Sequence, residues 1–180
     1  MATVARTNGR ARNASVEMAQ RALDAAATPA TVVGGATFAL MLLGRVPYVG
    51  GAFSLLELLL GIAAYPVVGF LVAASLQRFY HGPTRTLLVA HFGLGAAAAI
   101  TVALTLARLA GGLLLLVADG PAGGHGFVAI VRALGALVLG TCGDAASQLV
   151  VGGLLAVLGG FVAFDRGQLR EDVARIAPKL

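Results

Sequence analysis

Five stretches of the chain are apolar almost throughout, at 31–43, 51–76, 86–118, 127–142 and 147–164, and polar or glycine- and proline-bearing segments separate them. A helix crossing a membrane takes about 20 such residues, with a range of about 17 to 25. The second and third stretches exceed that length, the fifth meets it, and the first and fourth fall short. The 86–118 run holds only His91 and Arg108 as titratable residues. The first reaches spanning length if it extends through Arg45 and Pro47 with Arg45 snorkelling to the interface. The pattern predicts an all-α fold, a polytopic transmembrane helix bundle with 4–5 membrane segments.

The connections differ in character. Residues 44–50 (GRVPYVG) read as a tight turn, and 77–85 (QRFYHGPTR) joins Arg78 and Arg85 to Phe79 and Tyr80 in the manner of a headgroup belt. Residues 119–126 (DGPAGGHG) form a glycine- and proline-rich loop without Lys or Arg, and 143–146 read as a very short turn bearing Asp144. Three regions follow: a basic N-tail at 1–28, a transmembrane domain at 29–164 and a tail at 165–180. In the N-tail, Asn13 is placed to cap an interfacial helix running to Ala27, with Val16, Ala19, Leu23 and Ala26 near one face. In the C-terminal tail, Leu169, Val173 and Ile176 recur with helical spacing, and Glu171 and Arg175 stand four apart.

Composition supports the membrane reading. The chain is 58% hydrophobic and 12% charged, with a mean hydropathy of +0.90, against roughly 25% charged for a soluble domain. The net charge of +5 and pI near 10.4 would suggest nucleic acid in a soluble domain, but no basic stripe interleaved with aromatics accompanies them. The basic residues instead sit mainly in the tails and short connections, where they set topology and meet anionic lipid, so membrane lipids are the expected partners and nucleic acid is not. No early apolar core followed by a cleavage site is evident, so no cleaved signal peptide is expected. Cys142 is the single cysteine, which excludes an intrachain disulfide and a paired-cysteine metal or redox motif.

An excess of arginine on the cytoplasmic side places the N-tail and the 77–85 loop inside and the 119–126 loop outside. Five crossings would leave Arg166, Arg170, Arg175 and Lys179 outside, whereas four would return them inside. Charge therefore favours an even number, and the short 127–142 stretch, which carries Arg132, is the segment expected to enter the membrane incompletely.

Ionisable residues within apolar runs are costly unless paired, hydrated or within reach of an interface. Glu57, Arg108 and Arg132 fall in the same half of the proposed bundle: Glu57 lies about 9 Å from the start of its segment and Arg108 about 15 Å from the end of its own at 1.5 Å per residue. A buried Glu57–Arg108 pair, with Arg132 leaving positive charge for an anion, is one reading. Separate snorkelling of the two arginines with a hydrated Glu57 is the other. Gly152, Gly153, Gly159 and Gly160 repeat after seven positions and predict a helix-packing seam, and Pro66 predicts a kink in its helix.

Chemistry-bearing motifs are absent: the sequence has no phosphate loop, no metalloprotease helix, no nucleophile elbow, and its three histidines divide between two sides of the proposed topology. No cofactor, metal site or enzymatic activity is expected. The reading is a noncatalytic scaffold or accessory subunit binding lipid, another membrane protein or itself. The alternative is an oligomeric transporter or channel for a small solute or anion.

Overall fold

An apolar chain that leaves water must satisfy its backbone hydrogen bonds within each segment, and a helix does this without a partner. A computed structural model describes residues 2–76, 85–121 and 126–176, with side chains described at 16–18, 20–76, 88–121 and 126–165. Four helices account for nearly all of them: α1 (Ala2–Leu43), α2 (Gly50–Leu76), α3 (Arg85–Asp119) and α4 (Phe127–Ile176). Each contains a stretch long and apolar enough to cross a membrane.

Two expected interruptions do not occur. The interfacial helix and the first apolar stretch form a single helix, which continues through Pro29. The first stretch therefore gains its length on the N-terminal side, from Val16, while Arg45 and Pro47 belong to the turn that follows. The fourth and fifth stretches likewise merge into α4, and Gly143 to Ala146 are helical. Gly and Asp are poor helix formers in water, but in an apolar run a continuous helix keeps paired the backbone groups that a turn would release. Four apolar helices thus replace the five stretches. The 77–84 segment and 122–125 lie outside the described residues, as do the side chains that would define the amphipathic face at 169–176.

The helix ends have local causes. Gly120 adopts a left-handed φ of 76° and donates its N–H to Leu116 O at 3.1 Å, which closes α3. The first connection is tight: Gly44 N–H reaches Leu40 O at 2.8 Å and Gly50 N–H reaches Val46 O at 2.9 Å, so six residues reverse the chain. A Cβ on Gly50 would collide with the Gly44 carbonyl.

Successive helices run antiparallel. Contacts of Ala22 with Gly95 and Met41 with Gly111 align α1 with α3, whereas Gly93 with Val157 and Gly112 with Leu137 set α4 against α3. The turn after α1 and the end of α3 meet in an Arg45 Nη1–Asp119 Oδ2 ion pair of 2.9 Å. The core consists largely of small residues with a few large ones, Phe92, Ile100 and Leu104 of α3 among them. On α1 the buried face is Ala22, Ala26 and Ala30, one turn apart. Val16 and Leu23, expected on the apolar face with Ala26, are exposed.

The glycine repeat of α4 works within the chain. Gly152 lies under the Tyr65 ring and Gly159 against the Pro66 carbonyl, both on α2, while Gly153 faces Leu94 and Gly160 faces Val89, both on α3. Each tandem pair presents one glycine to each neighbour, so a seven-residue repeat seats α4 in the groove between two helices. Gly69 and Ala156 meet backbone to backbone at the same crossing. Helix α2 continues through Pro66, whose carbonyl forms part of this contact surface. Gly111 and Gly112 also lie within an unbroken helix and pack on Met41 and Leu137.

Candidate functional site

Helix geometry carries three charged side chains to one level of the bundle. Glu57 sits two turns into α2, Arg108 lies about 16 Å from Asp119 along α3 at 1.5 Å per residue, and Asp144 stands midway along the apolar part of α4. Arg108 Nε is 3.8 Å from Glu57 Oε1 and its Nη1 is 3.5 Å from Asp144 Oδ2. The guanidinium lies between the two carboxylates, one on each flanking helix. Neither contact is short enough for a direct hydrogen bond, so the attraction is through space.

Exposure separates the two carboxylates. The side chains of Glu57 and Arg108 retain 21% and 26% of their accessible surface, whereas Asp144 retains 66%. Two carboxylates share one guanidinium, which leaves the cluster with one negative charge in excess when all three are ionised. This reverses the balance expected with Arg132 as the third member. Arg132 lies about 18 Å from Asp144 along the same helix, is exposed, and forms no ion pair among the described residues. The separation follows from the continuity of α4: without a turn at 143–146, Asp144 and not Arg132 stands level with Arg108.

Next to the cluster, α2, α3 and α4 enclose a cavity of about 200 Å³ that is open along one side. Its walls are mostly apolar, including Leu58, Gly61, Ile62 and Leu155, with Arg108, Ser147 and Gln148 supplying the polar groups. Tyr65 also lines it, and its hydroxyl shares a 3.1 Å hydrogen bond with the Thr101 hydroxyl, so that polar tip is already satisfied. Ser147 donates to the Asp144 carbonyl at 2.9 Å. Among the described residues this wall carries no nucleophile with an adjacent base, and no group of three metal-ligating side chains occurs. His91 is half-buried on α3 and stands apart from the cavity lining.

The seam residues Gly152, Gly153, Gly159 and Gly160 lie below this site and are buried, and Gly152 also borders the cavity. They set how closely α2 and α4 approach. Sequence reasoning reached Glu57 and Arg108 through their matching depths but missed Asp144, Ser147 and Gln148. The spacing of Asp144, Ser147 and Gln148 at i, i+3 and i+4 marks one helical face, a signal that becomes visible once 143–146 is read as helix.

Comparison with protein-family models, with curated proteins and with solved structures finds no match. The functional reading therefore rests on the geometry.

Proposed function

We propose that the chain is a multi-pass integral membrane protein with both tails cytoplasmic, serving as a noncatalytic scaffold or accessory subunit that associates with lipid and another membrane protein. The four long apolar helices and the arginine-rich tails support the membrane placement. One observation carries the accessory role: no residue of α4 from 127 to 140 is buried, although this stretch is helical and apolar. The bundle buries residues only in the other half of α4 and meets this half along one edge, where Leu137 packs on Gly112 of α3. Gly135, Gly140 and Gly143 have open space where a Cβ would stand, so another helix can approach there without obstruction.

In-membrane cross-linking tests this role. Single cysteines at Val138 and Leu139 on a Cys142→Ser background, treated with a lipid-soluble cross-linker in native membranes, are expected to give a discrete adduct with another membrane protein. A control cysteine at Leu71, exposed on α2, is expected to give none. Uniform absence of adducts from 138 and 139 counts against an accessory role.

Transport of a small solute is the second reading, favoured by a charged cluster beside a cavity in the apolar part of the bundle. An anion has less support as the solute, because the cluster carries excess negative charge. Flux of neutral and cationic solutes in proteoliposomes tests this reading, and no flux across a broad panel removes it.

A further inference from the structure

We propose that the cavity between α2, α3 and α4 binds an uncharged amphiphile that enters from the bilayer and presents carbonyl oxygens to Arg108 and Gln148. The argument begins with the walls. They are mainly apolar, and Leu58, Ile62 and Val151 at the cavity are more than half exposed on the outside of the bundle, so its open side faces the surroundings of an apolar helix surface. A ligand arriving by that route is itself largely apolar.

The polar wall then selects the head group. Arg108, Gln148 and Ser147 all have hydrogen-bond donors, and guanidinium nitrogen donors have no acceptor capacity. The Ser147 hydroxyl is directed to the Asp144 carbonyl, which leaves Arg108 and Gln148 as the donors for a ligand. Arg108 meets Glu57 through Nε at 3.8 Å and Asp144 through Nη1 at 3.5 Å, contacts too long to engage these donors in direct hydrogen bonds. An anionic head would meet Arg108 but also the two carboxylates beside it. A cationic head would meet the guanidinium that lines the wall. A neutral carbonyl accepts a charge-assisted hydrogen bond and introduces no net charge, so it satisfies both constraints. Glyceride esters and lipid-soluble quinones share this chemistry.

Binding to the purified full-length protein in detergent tests the proposal by equilibrium dialysis, with 1-decanoylglycerol and decylubiquinone as neutral probes and decanoate and decyltrimethylammonium as charged ones of equal chain length. Saturable binding of at least one neutral probe is expected, and which of the two binds distinguishes a glyceride from a quinone. Gly61→Leu places a bulky side chain at the cavity wall, starting from a position where an added Cβ meets nothing within 4 Å, and with an unfolding midpoint like the parent's its binding is expected to fall at least tenfold. Gln148→Leu keeps the volume similar and removes a donor, with a several-fold loss expected. The proposal is overturned if neither neutral probe saturates, if the charged probes bind equally well, or if Gly61→Leu binds like the parent. It rests on the membrane placement and the cavity but not on a partner, so its failure leaves the association of α4 with a partner untouched.

Discussion

Asp144 Oδ2 lies 3.5 Å from Arg108 Nη1, joining the middle of α4 to α3 at the level where α2 contributes Glu57. Arg108 is thus, among the described residues, the sole cation between two carboxylates, and the three substitutions at this cluster differ in size of effect. Neutralising either acid leaves a balanced pair. Removing the arginine leaves two like charges without the cation that each of them faces.

Arg108→Gln is therefore expected to be the most damaging of the three, lowering stability by about 2 kcal/mol once partial exposure is allowed for. Glu57→Gln and Asp144→Asn are expected to change it by less than about 1 kcal/mol. Thermal unfolding in detergent, compared across the three variants, measures this order. Equal losses from all three would contradict the shared-arginine arrangement.

Glycines of α4 divide by what an added methyl group would meet. At Gly159 it would collide with the Pro66 carbonyl, a backbone atom that cannot move aside without parting the helices, whereas at Gly140 it meets nothing within 4 Å. Gly159→Ala is expected to destabilise by about 1–3 kcal/mol through overpacking. Gly140→Ala is expected to be neutral or to stabilise by up to about 1 kcal/mol through helix propensity. The same unfolding assay reads both, and the opposite order would refute the assignment of the two glycines to covered and open faces.

Thr37 is 1% exposed, and its hydroxyl has no hydrogen-bond partner. Thr37→Val keeps the branched shape and deletes the unsatisfied group, so stability is expected to rise by about 1 kcal/mol. A lower unfolding midpoint in Thr37→Val would show that the hydroxyl is satisfied in the folded protein.

The Arg45–Asp119 pair is short, at 2.9 Å, but both side chains are more than half exposed. Solvent and salt screen such a pair, so Arg45→Ala is expected to cost no more than about 1 kcal/mol, and less at high ionic strength. Unfolding midpoints at low and high salt check this. A large loss that persists in high salt would place the pair in a drier setting than its exposure indicates.

The helical class and the positions of most apolar helices were legible because length and hydropathy suffice to specify them. Glu57 and Arg108 were legible from depth, since a fixed rise per residue converts sequence position into height along a helix. Asp144 was not, because glycine beside aspartate reads as a turn by the propensities that hold in water. In an apolar run the cost of unpaired backbone outweighs those propensities. Arg132 was drawn into the cluster by a coarser match, its place near the outer end of its segment, and that does not bring it level with Arg108. Pro29 posed a similar problem on α1: the break expected near residue 28 does not occur, and the helix passes through the proline to carry Ala22 and Ala26 onto α3. The glycine repeat packs against two neighbours, and its division between α2 and α3 depends on where two other helices lie, which no single segment encodes.

Continuity of α4 is the central structural claim, because it makes the number of apolar helices even and brings Asp144 to Arg108. Cysteine-accessibility mapping on a Cys142→Ser background tests it most directly, with single cysteines in the N-tail, the 77–84 segment, the 122–125 segment and the C-terminal tail. Labelling of both tails and 77–84 from the cytoplasmic side, with 122–125 labelled from the other side, is the expected result. Labelling of the C-terminal tail from the side opposite the N-tail would contradict the account, since α4 would then have to reverse within its length.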